Sequence, residues 1–281
     1  MKRFLLILAL FLPFALHAQT DTAATRVGTD SLRLARLDSA LVYSTATIEM
    51  MDIPAKEREC DFLITSANDP ATSRHIALWL WDFYKESKLM GDEEVAIYIY
   101  DAWFKSGLIE MRSDIDRVMA DVFVTFNRST LLGREAPRID LYNKRGRAVT
   151  IPSGNNYSIL FFYDTECGKC RMEAKLLPRV LETIDFPCSF YAVCYGSDKA
   201  AWKKFRKQFK LHSRNVEVFN LWDPEEKSDF TRLYGVMSTP RLYVTDRDGI
   251  VIGRRLEVDN LQEIINYICR YGKEESKNLG H

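Results

Sequence analysis

The chain is 281 residues long and 47% hydrophobic, which allows one large or two modest domains with a substantial core. Lysine plus arginine and aspartate plus glutamate each number 39. With no net charge, no field draws the protein to nucleic acid or to an anionic membrane, and neither is expected as a partner.

Residues 1–18 read as an export signal. Lys2 and Arg3 precede an apolar run over 4–16, and small Ala18 offers a cleavage point before Gln19. Pro13 and His17 interrupt the run, which falls short of the roughly 20 apolar residues that a spanning helix needs. A periplasmic protein cleaved after Ala18 is the expectation. Export changes how the 6 cysteines are read, because an oxidising compartment favours disulfide chemistry over zinc for a CxxC pair.

Residues 19–30 carry Thr, Asp and Gly with few apolar positions and predict a flexible leader. From 31 to 128 the apolar positions recur at helical spacing and predict a smaller all-helical domain. Leu34, Leu37, Leu41 and Ile48 fall near one face, and Ile76, Trp79, Leu80, Phe83 and Tyr84 follow at i, i+3, i+4, i+7 and i+8. After a break at Gly91-Asp92, Val95, Ile99, Ala102 and Trp103 share a helical face, although Val95, Ile97 and Ile99 alone would suit a strand. Ser113 offers an N-cap with Asp116 three residues on. It opens a stripe of Ile115, Val118, Met119, Val122, Phe123 and Phe126. Stripes of this kind are expected to be core rather than a groove for unfolded clients.

From Leu131 short apolar runs alternate with helical patterns, the texture of an α/β domain. Strands over 139–142 and 148–151 flank a turn at 143–146. A buried strand over 158–163, a helix over 170–184, a strand over 190–194 and a helix over 199–210 follow. Strand 216–220, helix 229–234, strands 241–245 and 250–255 and helix 260–271 complete the domain, and 273–281 reads as a polar tail.

The chemistry concentrates in Cys167-Gly168-Lys169-Cys170, placed where a buried strand gives way to a helix. There the first thiol meets unpaired backbone N–H groups and the positive end of the helix dipole, which favour its thiolate. The second lies one turn on and can close a disulfide, so Cys167 reads as the attacking sulfur and Cys170 as the resolving one. Lys169 should favour the thiolate and Glu166 oppose it, with a net sign the sequence leaves open. Zinc would need two further ligands, yet no second CxxC exists and His17, His75, His212 and His281 are scattered, so no metal is expected. Covalent haem needs His after the second cysteine, where this chain has Arg171, and no cofactor is expected. A static staple would close too small a loop to constrain the unfolded chain.

The run Gly133-Arg134-Glu135-Ala136-Pro137, Leu141 and Gly146, followed by strand, CxxC, helix and a late Thr239-Pro240, resembles the thioredoxin-fold redoxins of the TlpA/ResA type, exported thiol-disulfide oxidoreductases. The resemblance covers about 131–272 and implies a central mixed sheet flanked by helices. It implies that Cys167 is the nucleophile, Cys170 its partner, and Pro240 the family's cis-proline facing the CxxC, with Thr239 and Ser238 lining a substrate groove. Glu173 stands where many of these redoxins carry a glutamate that exchanges the resolving thiol's proton; its bland alternative is a surface acid. Two departures stand out: Thr165-Glu166 precedes the first cysteine where thioredoxins place Trp, and Gly-Lys replaces Gly-Pro. Peroxiredoxins share the fold, but this chain has Leu160 and Asp164 where their motif needs Pro and Thr.

The implied partners are disulfide-containing client proteins and a membrane thiol-transfer electron donor. A second reading is a redox-sensing binding protein whose helical domain docks a partner without turnover. Cys188 and Cys194, about 20 Å apart along an extended strand, read as buried small hydrophobes. Cys60 and Cys269 fall in different predicted domains, and their pairing is left open.

Overall fold

The computed structural model describes residues 23–278. The signal and cleavage point expected over 1–18 lie outside these residues. Contacts divide the chain into two units, 1–50 and 51–281. In the first, α1 (Ala23–Ile48) is one helix of 26 residues. The leader expected over 19–30 therefore gives way to helix at Ala23; no proline interrupts 23–48, and Gly28 weakens a helix by only about 1 kcal/mol.

The second unit begins with α2 (Ile53–Thr65), α3 (Pro70–Glu86) and α4 (Asp92–Ile99), which passes into a π-helical turn over Tyr100–Lys105, and then α5 (Asp114–Asn127). Their starts are set by local chemistry. Asp52, Asp69 and Ser113 accept hydrogen bonds from the N–H groups of Ala55, Thr72 and Asp116, and Pro54 and Pro70 sit in first turns where no N–H is missed. Val95, Ile97 and Ile99 are helical, not a strand, and all three are buried.

The α5 stripe is a correction. Ile115, Val118 and Met119 are 75%, 60% and 60% exposed, and Ala120, Val124 and Asn127 are the residues that α5 buries. Near the C-terminal end of α5 the chain approaches it at backbone distance. At Gly235 a methyl group would collide with the Phe126 carbonyl oxygen, and the Ser129 hydroxyl bonds the Leu233 carbonyl nearby. Periodicity identifies an apolar face; it does not say what covers it.

The rest is a seven-stranded sheet in the order β2-β1-β5-β4-β3-β6-β7. Its strands are β1 (Ile139–Asn143), β2 (Ala148–Ile151), β3 (Tyr157–Tyr163), β4 (Cys188–Cys194), β5 (Val216–Trp222), β6 (Arg241–Thr245) and β7 (Val251–Gly253). β3, β4 and β5 run parallel; β1–β2, β1–β5, β3–β6 and β6–β7 are antiparallel. The helices are α6 (Gly168–Leu181), α7 (Lys199–Phe205), α8 (Phe230–Leu233) and α9 (Val258–Asn278), the last running through most of the expected polar tail. Both faces of the sheet are covered, which is why β3 reads as an unbroken apolar run. Ile159, Phe161 and Tyr163 pack with Leu177, Leu181, Leu261 and Ile265 of α6 and α9; Leu160 and Phe162 pack on the other face with Phe230, Tyr234 and Tyr243.

Contacts thus keep 51–128 in the same unit as the sheet, whereas the sequence predicts a helical domain over 31–128 apart from 131–272. The reason is polar. Arg254, just past β7 and 2% exposed, pairs with Glu93 of α4 and donates to Asn127 Oδ1 at 3.0 Å and Thr130 Oγ1 at 3.4 Å. A buried guanidinium has to find its partners, and here they all lie on the helical side.

Gly235, at φ +60°, tests this interlock. Gly235→Ala should lower stability by at least about 2 kcal/mol in urea titration, from left-handed strain plus the clash with Phe126. Gly146→Ala, at φ +72° with nothing within 4 Å, should lose only about 1 kcal/mol.

Candidate active site

β3 lies between parallel β4 and antiparallel β6 and ends at Tyr163, one short turn before α6. Asp164 Oδ1 accepts from the Glu166 N–H at 2.8 Å, and Arg171 Nη1 donates to the carbonyls of Thr165 at 3.1 Å and Glu166 at 2.8 Å. The turn is thereby held from both sides, and it delivers Cys167 to the N-cap position of α6. Cys167 Sγ accepts from the Cys170 N–H at 3.1 Å, so the sulfur itself satisfies a backbone donor that the helix cannot.

The two thiols differ sharply. Cys167 is partly exposed and Cys170 is fully buried. Burial alone would raise the Cys167 pKa, but hydrogen bonds from the Cys170 thiol and N–H, from Thr239 and from the Lys169 N–H outweigh it and hold the group below the ordinary thiol value. Burial pushes Cys170 the other way, to about 12, helped by its hydrogen bond to Cys167 and the Cys167 charge. Lys169 acts here through its backbone; its ammonium group instead pairs with Glu257 at 2.6 Å.

Of the two residues expected beside the pair, Thr239 and Pro240, Thr239 reaches Cys167 through its backbone. The Cys167 thiol donates to the Thr239 carbonyl oxygen at 3.4 Å, and the Thr239–Pro240 peptide is cis. Thr239 helps lower the pKa values of both cysteines and of Tyr195. Ser238 accepts from Arg241 Nη2 at 2.9 Å.

Glu173 is not a surface acid. It is 9% exposed, one turn beyond Cys170 on the same face of α6, and its carboxylate accepts from the Val258 N–H at the start of α9 at 3.1 Å. Burial, opposed by that hydrogen bond and by the Lys169 charge, leaves its pKa raised. Cys188 and Cys194, at opposite ends of β4, are buried in the apolar core as expected, and Cys60 is sealed in α2. Sequence reasoning missed Arg171, Tyr195 and Glu257. Each acts on a partner brought close only by the fold or by a turn, and no spacing rule marks such residues.

No model of a protein family and no curated protein matches the chain. Among solved structures it is similar to a thioredoxin-like protein from Bacteroides caccae, at 15% identity and a TM-score of 0.65, over 83% of this chain and 84% of that one. It is also similar to the thioredoxin domain of a thiol-disulfide oxidoreductase from Bacteroides vulgatus, at 20% identity and a TM-score of 0.43, over 49% of this chain and 96% of that one. A thiol:disulfide interchange protein from Bacteroides sp. gives 22% and 0.43, over 54% and 99%. The first likeness is too long to lie in the sheet region alone, and it shows the fold: thioredoxin-like, with a central mixed sheet and N-terminal helices.

A carboxyl group whose folded pKa lies above its unfolded value of about 4.3 stabilises the fold below that value, and the contribution is lost as pH rises through the folded one. Glu173→Gln keeps an oxygen for Val258 and removes the buried charge. It should melt above wild type at pH 7, with the gap closing as pH falls toward 4. Glu173→Ala, which leaves the Val258 N–H without its acceptor, should lose about 1 kcal/mol in the same melts.

Proposed function

We propose that the protein is an exported thiol-disulfide oxidoreductase of the TlpA/ResA type that reduces or isomerises disulfides in client proteins. The observation that carries this reading is the opposite setting of two thiols one helical turn apart: Cys167 lowered and reachable, Cys170 raised to about 12 and buried. A structural pair has no need of such asymmetry. A nucleophile and its resolving partner do.

In the forward step the Cys167 thiolate attacks one sulfur of a client disulfide; a bond forms between them and the client's other sulfur leaves as a thiolate. Capture removes the Cys167 charge. Two of the influences that raise Cys170, that charge and the hydrogen bond to Cys167, then vanish, so the resolving thiol becomes easier to ionise once a client is attached. Cys170 gives up its proton, with Glu173 the neighbouring acceptor on its helix face, and attacks Cys167 Sγ. The second client sulfur leaves reduced and Cys167–Cys170 closes as a disulfide, two electrons having passed to the client. Renewed turnover takes two electrons from a donor, for which a membrane thiol-transfer protein is the partner proposed. Thr239 and Pro240 offer the client an extended edge, and Met237, 60% exposed in the same loop, gives it apolar contact.

With dithiothreitol as donor, the mature protein should precipitate reduced insulin chains well ahead of dithiothreitol alone, and Cys167→Ser should fall back to the dithiothreitol rate. Cys170→Ser should accumulate client adducts that dithiothreitol releases. An insulin rate no faster than dithiothreitol, together with no such adducts, would favour the redox sensor without turnover.

A further inference from the structure

Three arginines lie near one another on the strands that follow the Thr239–Pro240 loop. Arg241 opens β6 immediately after Pro240, opposite Phe162 of β3, and Arg254 and Arg255 follow β7. Their Nε–H groups are all buried, and none has a hydrogen-bond partner. Glu93 is the one carboxylate that any of them binds among the described residues, and it is taken by Arg254. Arg241 has only the Ser238 hydroxyl, and Arg255 makes no side-chain hydrogen bond among the described residues. Burial lowers the Arg241 pKa most, the Arg255 charge lowers it next, and Tyr243 opposes them ahead of a smaller repulsion from Arg254.

Two uncompensated guanidinium groups held half-buried against each other are an unfavourable arrangement for a chain folding alone. They become favourable when an anion arrives, because their planar donor sets match a carboxylate. Their nearness in the chain to the Thr239–Pro240 loop points to the client as the source of the carboxylate. Arg241 is two residues, about 7 Å of extended chain, from Thr239, whose carbonyl oxygen lies 3.4 Å from Cys167 Sγ. A client bonded to Cys167 and lying along this loop would bring its next few residues to Arg241 and Arg255.

We propose that Arg241 and Arg255 form a carboxylate-binding subsite that selects client segments carrying Asp or Glu within about three residues of the target cysteine. Arg254, fixed by Glu93, Asn127 and Thr130, adds positive charge from beneath without touching the ligand. The inference rests on the oxidoreductase reading and names its substrate class.

The test uses the mature protein and peptide disulfides that are identical except for Glu, Gln or Lys at each of the three positions on either side of the cysteine. The best Glu peptide should exceed its Gln counterpart at least five-fold in kcat/KM, mostly through KM, with Lys lower still. In Arg241→Gln and in Arg255→Gln the ratio should fall toward one, Arg241→Lys should retain part of it, and about 0.5 M salt should shrink it in wild type. Equal rates for Glu and Gln peptides, or a preference unchanged in both Gln variants, would overturn the subsite while leaving turnover intact. Should no peptide turn over, the catalytic reading is what fails. Fluorescence anisotropy of the same sequences, S-methylated, on the Cys167→Ser, Cys170→Ser double variant then decides the subsite: tighter binding of Glu peptides supports it, and equal binding overturns it.

Discussion

A sulfur atom stands where a helix needs an acceptor. The Cys170 N–H points to Cys167 Sγ because α6 begins there, and the same backbone donors that a serine or aspartate would satisfy elsewhere are spent on a thiol. That acceptor gains as it ionises, so the start of the helix and the reactivity of Cys167 are one constraint. The asymmetry of the pair follows from the direction of α6. Its axis carries Cys170 inward, among Leu177, Phe161 and Ala192, where a thiolate has no water.

The surroundings serve to hold that helix start in place. Arg171 ties the preceding turn, Lys169 and Glu257 bridge toward the start of α9, and Glu173 binds the first N–H of α9 from beneath. α6 and α9 share the core layer on one face of the sheet. On the opposite face Arg254 locks the end of β7 to α4 and to the end of α5, and Gly235 lets the loop before Pro240 approach α5 at backbone distance. The loop over 236–240 therefore sits between two anchored regions, as the proposed client edge requires.

Much of this was legible in the sequence where the rule is local. Alternation and run length place β1 to β7 within a few residues, Ser113 and Asp116 form a cap pair, and the strand-to-helix position of Cys167 and Cys170 is visible in the sequence. What escaped was decided by covering and by distance. Ile115, Val118 and Met119 lie at core-like spacing yet face solvent, and α5 buries Ala120, Val124 and Asn127 instead. Lys169 was weighed as a charge beside the thiols, and its partner proved to be Glu257, 88 residues away. The sequence allows Glu173 to be a proton carrier or a surface acid, and the bond from the Val258 N–H that holds it inward is one no spacing from Cys170 could announce.

The central claim is that the fold ionises the two thiols far apart. The direct measurement is a carbon-13 NMR titration of the reduced protein labelled at cysteine Cβ. The account predicts a Cys167 midpoint below the ordinary thiol value of about 8.5 and a Cys170 midpoint near 12. Two resonances titrating together near 8.5, or Cys170 ionising first, would contradict it.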